Sequence, residues 1–399
     1  MKTAPQAQSK AAPPETADEY LIRTLDDPVS IDAAAWDELL DAQAAPTPFM
    51  RHAFLAALHA SGSAVRRTGW SPLFLTVQRG ATLEAACALY AKTHSYGEYV
   101  FDWSWASAFQ RHGRRYFPKL LGAVPFTPVP GSRLLARDAQ ARDVLVRSIE
   151  ALAREAGVSS AHLLFPDDAD LAALERRGWL VRRGVQFHWS QADDTPHADF
   201  DAFLATLHRD KRKKIAQERR RVREAGVDFR VLEGEQIDRA AWDFFYRCYA
   251  NTYAEHGSAP YLTRDFFDRM MRTMPGHWLM FVAHRDGRDI AASLIAIDRA
   301  TRTAWGRYWG SVEHVPLLHF EACYYRPLAW CIEQRFSSFE GGAQGEHKMA
   351  RGLMPVSTAS AHWIADADFA RAIADFLDRE REGIAEYLDE LQDRSPFKR

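Results

Sequence analysis

Residues 278–300 read WLMFVAHRDGRDIAASLIAIDRA, and residues 72–94 read PLFLTVQRGATLEAACALYAKTH. Each is an apolar run, a short polar turn, and a second run of small and apolar residues. Asp286-Gly287 marks the turn in the later stretch and Arg79-Gly80 in the earlier one. Glycine at such a place supplies the left-handed backbone that a tight hairpin loop needs. Both stretches therefore predict β-hairpins.

The two stretches stay in step beyond the hairpins. The earlier one leads into an extended segment, AVPFTPVPG, and then DVLVRSIEALAREAG, whose Val144, Ile149, Leu152 and Ala153 fall close to helical period. Ser159-Ser160 and the apolar AHLLF come next. The later one leads into TAWGRYWGS, the helical LLHFEACYYRPLAWCIEQRF, then Ser337-Ser338 and FEGGA. Each closes with Arg-Gly, a strand-like segment and His-Trp, at Arg177 to Trp189 and at Arg351 to Trp363. One order in two places predicts a duplicated mixed α/β domain running β-β-β-α-β-(α)-β. The expected divisions are a disordered tail over 1–19, a first domain over 20–194, a second over 195–365 and a C-terminal amphipathic helix over 366–399.

Composition agrees with two folded domains. The chain has 399 residues, 47% of them hydrophobic and 26% charged, more than one typical core supports. A formal net charge of -2 gives no global attraction to nucleic acid or membrane, so any such affinity must be local. Cys87, Cys248, Cys323 and Cys331 form no CxxC pair or metal-ligand spacing and read as reduced thiols. The first residues lack the apolar core of a signal peptide, and no apolar run reaches membrane-spanning length. The expectation is a cytoplasmic chain.

The residues also carry a family resemblance. A hairpin, a third strand, a helix and a strand followed by LERRGW (174–179) is similar to the GNAT acyltransferase fold. Its tandem duplication resembles the FemAB/FemX aminoacyl transferases of peptidoglycan synthesis. HSYGEYVFDWSWA (94–106), YFPKLLGAVPFTPVPGSRLL (116–135), LLHFEACYYRPLAW (317–330) and FEGGAQGEHKMARG (339–352) resemble the FemAB-like group of N-acyltransferases. The resemblance covers Phe49 to Ile364. It implies acyl-CoA or aminoacyl-tRNA as donor substrate, no tightly bound cofactor, and a cell-wall precursor as acceptor.

The copies differ where chemistry is expected. Between the Ser-Ser strand and the Arg-Gly, the first has PDDADLAALERRG, an ordinary amphipathic helix. The second has GGAQGEHKMARG, which installs Gly341, Gly342, Gly345, Glu346, His347 and Lys348. The glycines permit close backbone approach to a ligand, and Lys348 and Arg351 could meet phosphate or carboxylate. Glu346 or His347 could take a proton from an incoming amine, or the segment could be a tight loop with solvated charges. Glu340, at the end of an apolar strand, is either a base of raised pKa or one partner of a buried pair. The His-Trp pairs read as strand packing.

In GNAT-like folds the start of the helix near His319, Glu321, Tyr324 and Tyr325 receives the donor's phosphates. The usual Arg/Gln-x-x-Gly-x-Gly/Ala pyrophosphate loop is absent, replaced by Gly310-Ser311-Val312-Glu313-His314-Val315-Pro316, which argues against ordinary coenzyme A binding there. Tyr308 and Tyr325 are candidates for protonating a leaving thiolate or alkoxide. His94, Glu98, Asp102 and Trp103, with Tyr308, are the expected acceptor pocket, in a cleft between the domains. HRDKRKKIAQERRRVREAG, from His208, predicts a basic helix over 208–223 that could follow a tRNA backbone or a phosphorylated precursor. No metal motif is present. Two classes follow: a direct N-acyltransferase without a covalent enzyme intermediate, or a non-catalytic module that binds a peptidoglycan fragment or nucleic acid.

Overall fold

The computed structural model describes residues 19–192, 194–342 and 345–398. All but Glu19 of the N-terminal tail expected over 1–19 lies outside the described residues. Trp278–Arg285 and Arg288–Asp298 pair antiparallel, and Asp286 (φ 51°) and Gly287 (φ 75°) are both left-handed at the turn. Their side chains alternate between two buried faces. Met280, Val282, Ala292 and Leu294 enter a core with Trp242 and Phe245, while Leu279, Phe281 and Ile295 enter another with Leu328 and Phe339. Burial on both sides explains why this stretch is almost uninterrupted apolar sequence.

The earlier hairpin, Phe74–Arg79 with Thr82–Cys87, joins Tyr20–Leu25 and Leu135–Ala136 in a four-stranded sheet. After Ala88 its second arm continues as Leu89–Lys92, which lies in the large sheet instead. That large sheet has eleven strands and runs through both repeats.

The repeats are joined by exchange. Leu180–Ser190 closes the first repeat in sequence, yet it pairs with Ser338–Glu340 of the second. Met354–Ile364 closes the second, yet it pairs with Ser160–Leu164 of the first. The two exchanged strands pair with each other from Met354↔His188 to His362↔Leu180. Each repeat's sheet is thus completed by a strand of the other.

The helices follow from local signals. Arg239–Glu255 is capped by Asp238, and Arg264–Thr273 by Thr263. Both cover the second repeat's hairpin, and Phe266 meets Phe54 of the first repeat edge to face at 5.4 Å. Phe49 meets Trp305 at the same distance, so one core crosses the boundary. The basic stretch is a helix over Arg209–Glu224 that buries Ile215, Glu218 and Val222, and Gly226 (φ 73°) follows its end. The C-terminal helix Ala367–Asp393 buries Ile373, Leu377 and Leu391, and Glu380 holds Arg182 of the first exchanged strand through two bonds of 2.6 and 2.7 Å. No helix among the described residues is long and apolar enough to cross a membrane.

Exchange makes each repeat dependent on the other. Residues 19–194 expressed alone lack the strand that fills the gap beside Ser160–Leu164, leaving an open edge. The expected result is no cooperative thermal transition by circular dichroism, with cooperativity regained on co-expression with residues 195–398.

Candidate active site

Thr303–Ser311 and Ser338–Glu340 run parallel for three residue pairs, ending at Trp305↔Glu340. Beyond that pair they part, with Gly306 to Trp309 on one side and Gly341-Gly342 on the other. Three adjoining cavities of about 370, 470 and 120 Å³ share Gly306 and Arg307 and form one cleft. Gly341 has no room for a side chain, since a Cβ would lie 2.5 Å from Leu353. Gly342 has φ 88°. Glycine at both positions lets the strand end turn away from its neighbour.

Arg307 stands at the centre of the cleft. Its Nη2 donates to the Phe126 carbonyl (2.9 Å) and Thr127 Oγ1 (3.2 Å) of the first repeat, and to Tyr308 Oη (3.2 Å). Sequence reading did not single it out. The available signal was one charge in the otherwise uncharged strand TAWGRYWGS.

Glu340 projects from the sheet beside His188 of the first exchanged strand, Oε2 to Nε2 at 3.8 Å. That Oε2 is buried and has no hydrogen-bond partner among the described residues. Burial pushes the carboxyl up to about 8, with Trp305, Arg307 and Arg133 opposing the shift. His188 faces Gln186 Oε1 at 3.1 Å. Burial, aided by Lys348, lowers its imidazole to about 4.

The glycine-rich segment forms a short 3₁₀ helix over Glu346–Arg351, and it sends its side chains in different directions. Lys348 is buried at the cleft, its Nζ donating to the Gly342 carbonyl at 2.9 Å, and burial lowers it to about 8. Arg351 turns inward, donating to the His347 carbonyl (2.7 Å) and Glu218 (3.1 Å) and lying 3.6 Å from the Phe320 ring centre. Glu346 points out to the C-terminal helix, accepting from Tyr387 (2.7 Å) and Arg394 (3.2 Å). That places Glu346 away from the cleft. His347 is exposed, with Nε2 3.3 Å from Tyr324 Oη, and partial burial followed by Arg351 and Lys348 lowers its pKa. Gly345 (φ 111°) starts the turn against the His347 ring.

The helix after the parted strand is not regular. Between Leu318–Phe320 and Arg326–Glu333, residues Glu321–Tyr325 widen to π-type hydrogen bonding, and Ser293 Oγ donates to the Ala322 carbonyl at 2.6 Å. Such wide turns recur at functional sites. This one aims His319, Cys323 and Tyr324 at the smallest cavity. Tyr325 points elsewhere, its hydroxyl on Glu218 of the basic helix. Burial, chiefly, with His347, Arg351 and Lys348 nearby, lowers His319 to about 4.

Tyr96, Tyr99, Phe101 and Trp103 form the opposing wall, and Tyr308 lines the other side. His94 lies off the lining and accepts from the Tyr96 N–H at 3.2 Å. Glu98 and Asp102 were expected in the acceptor pocket, but they are 3% and 2% exposed and bind Lys119 behind the wall. Burial pushes Glu98 up to about 7. Burial acts likewise on Asp102, yet Lys119 overrides it and holds that carboxyl below its usual range.

In the first repeat the corresponding region is occupied by side chains. Lys119–Gly122 pairs parallel with Ser160–Leu164, and buried Arg133 fills the region beyond, donating to the carbonyls of Val129, Gly131 (3.2 Å) and Leu164 (3.1 Å). Asp170 accepts from the backbone N–H of Arg133 (2.6 Å) and Leu134 (2.9 Å).

Comparison with known proteins agrees with this architecture. A family model described as FemAB-like, peptidoglycan biosynthesis/recognition, matches residues 28–399. The chain belongs to the FemAB-like family. Curated proteins give no match. Among solved structures, L-PGS from Bacillus licheniformis is similar with a TM-score of 0.54 at 11% identity, over 88% of this chain and 96% of that one. FemX is similar with a TM-score of 0.53 at 11% identity, over 89% of this chain and all (100%) of that one. The likeness lies in the fold.

Glu340 gives a stability signature with a definite sign. Its carboxyl is raised in the fold, so between its ordinary value of 4.5 and about 8 the folded state holds more protons than the unfolded state. The stability contribution is complete below that window and falls as pH rises through it. Glu340→Gln removes the effect. Its melting temperature relative to wild type is expected to rise steadily from pH 5 to pH 8, and a flat difference would contradict the assigned environment.

Proposed function

We propose that the protein is an N-acyltransferase that joins an activated acyl or aminoacyl group to an amine in this cleft. The observation that carries the reading is the parting of two parallel strands after Trp305 and Glu340, beside a cavity lined by Arg307 and Lys348. An acyl arm would enter where the two strands part, beside the glycines that keep side chains out of the gap. The aromatic wall faces the gap and receives the acceptor.

The chemistry needs few groups. The amine nitrogen attacks the acyl carbon, and Glu340 takes the proton that the nitrogen loses. A carboxylate raised toward neutrality is a stronger base than an ordinary one and returns the proton readily. In this reading Lys348 and Arg307, which line the cleft, stabilise the negative charge on the former carbonyl oxygen. The C–S or C–O bond to the donor then breaks, the leaving group gains the proton, and an amide remains. Tyr325, tied to Glu218, has a structural role in this scheme.

The exposed cations of the Arg209–Glu224 helix, including Lys213, Lys214, Arg221 and Arg223, favour aminoacyl-tRNA over acyl-CoA as donor. That helix sits against the cleft's helix, with Arg219 on Glu321 at 3.2 Å. FemAB-like membership favours an amine-bearing peptidoglycan precursor as acceptor, in the cytoplasm.

The test is transfer of labelled acyl groups from acetyl-CoA and from bulk aminoacyl-tRNA to an amine-bearing muropeptide. Glu340→Gln should lower kcat by about 10²–10⁴-fold, the usual scale of acid–base catalysis, without unfolding the protein. The triple change Lys213→Glu, Lys214→Glu, Arg221→Glu should raise KM for aminoacyl-tRNA and flatten its salt dependence, leaving any acyl-CoA reaction unaffected. Ligand binding without turnover from either donor would favour a binding module instead.

A further inference from the structure

Three large rings of the cleft wall stand in solvent: Tyr96 is 59% exposed, Phe101 53% and Trp103 40%. Exposed aromatic side chains gain nothing from burial, so something else must hold the chain that presents them. Residues 94–102 form no helix or strand. The segment is secured by cations from three strands of the first repeat, two bonding its backbone and one its side chains. Lys92 Nζ donates to the Tyr96 carbonyl at 3.3 Å, and Arg182 Nη1 donates to the Phe101 carbonyl at 2.6 Å. Lys119 does the most. Its Nζ meets Ser95 Oγ at 3.0 Å, Glu98 Oε2 at 2.8 Å and the Asp102 carboxylate.

The segment thus has two sides. Residues 95, 98 and 102 converge on one buried ammonium group, while 96, 99, 101 and 103 are turned to the cleft. The anchor also reaches the second repeat. Tyr116 donates to Asp102 at 2.6 Å and lies 3.3 Å from His162 Nε2, whose Nδ1 meets Nδ1 of His362 at 2.6 Å. His362 belongs to the strand that the second repeat lends to the first. A wall fixed to that strand is fixed relative to Arg307 and Gly341 across the gap.

We propose that Lys119 is the positioning residue of the acceptor wall, setting where Tyr96, Tyr99 and Trp103 stand without touching the acceptor itself. The inference rests on the cleft reading given above and assigns the wall to the acceptor side of it. Removing the Lys119 ammonium group leaves Asp102 buried without the cation that holds it ionised, and Ser95 and Glu98 without their shared donor. The wall is therefore a preset surface, and its shape is controlled from behind.

Chymotrypsin, which cuts after Tyr, Phe and Trp, reads this directly. In wild type the 96–103 segment should resist cleavage. In Lys119→Met it should be cut about tenfold faster or more, as for a segment whose local opening has become easier. In the transfer assay, KM for the muropeptide amine should rise about tenfold while kcat stays within about twofold, the pattern of lost ground-state positioning. Should Lys119→Met fail to fold, the milder pair Ser95→Ala with Glu98→Gln is expected to move both readouts the same way. Unchanged cleavage in a folded variant overturns the proposal, as does a fall in kcat with constant KM. If wild type transfers no acyl group, the cleft reading fails separately, and the cleavage result still decides whether Lys119 anchors the wall.

Discussion

Two exchanged strands lie side by side at the centre of the large sheet, and the cleft is organised around them. Leu180–Ser190 and Met354–Ile364 pair over nine positions, from Met354↔His188 to His362↔Leu180. Each then makes its second ladder with the other repeat's sheet. A strand bonded on both edges cannot leave without breaking two ladders, so the repeats are held at a fixed spacing. This exchange also brings together side chains far apart in sequence. His162 follows Ser159-Ser160 at the same distance as Glu340 follows Ser337-Ser338. Each faces a histidine of the other repeat: His362 at 2.6 Å from His162, and His188 at 3.8 Å from Glu340. One pair of equivalent positions thus became a closed imidazole contact in one seam and a carboxyl with an unpartnered oxygen in the other.

The same asymmetry governs the space beyond the seams. In the first repeat the region past the parallel strands is filled by Arg133, with its guanidinium on backbone carbonyls, and by Asp170 on backbone N–H groups. Those bonds satisfy polar backbone that would otherwise need a ligand or water. In the second repeat Arg307 and Lys348 line the corresponding space without filling it. Gly306, Gly341 and Gly342 keep the gap open, and the segment that was a helix in the first repeat is short enough for Lys348 to reach it. A duplicated fold can divide its work this way, with one copy closed by its own chain and the other left free for substrate.

Much of the architecture was legible because it is local. Apolar runs with Asp286-Gly287 or Gly80 at the turn specify hairpins, and an Asp or Thr before an amphipathic run specifies a helix start. The order of elements then showed the duplication. The exchange was not legible, since both closing strands have the same pattern and either sheet edge accepts either one. Site residues divided on the same principle. The glycines and Lys348 fell in the segment that differs between copies. Glu346, Arg351 and Tyr325 shared that segment or its helix, but their orientation is set by Tyr387, Arg394 and Glu218, which are distant in sequence. Arg307 was overlooked because a single arginine in a strand ordinarily reads as an edge charge. Glu98 and Asp102 were read as pocket lining, whereas Lys119 draws them behind it.

The basic helix shows how a charge run can serve two faces. Its exposed side carries Lys213, Lys214, Arg221 and Arg223, and its inner side carries Glu218 and Arg219. Glu218 holds Tyr325 and Arg351, and Arg219 holds Glu321, so the inner bonds all end on the widened helix or the 3₁₀ turn beside the cleft. Exposed cations alone contribute little to a fold, being solvated and screened. The inner pairs are largely buried, and they hold the helix against the widened turn and the 3₁₀ turn beside the cleft. In the reading proposed above, a polyanionic donor would use the outer face of this helix and an acceptor the aromatic wall, so that the two substrates would approach the cleft separately. Separate approaches suit a reaction in which two large substrates meet at a single carbon atom.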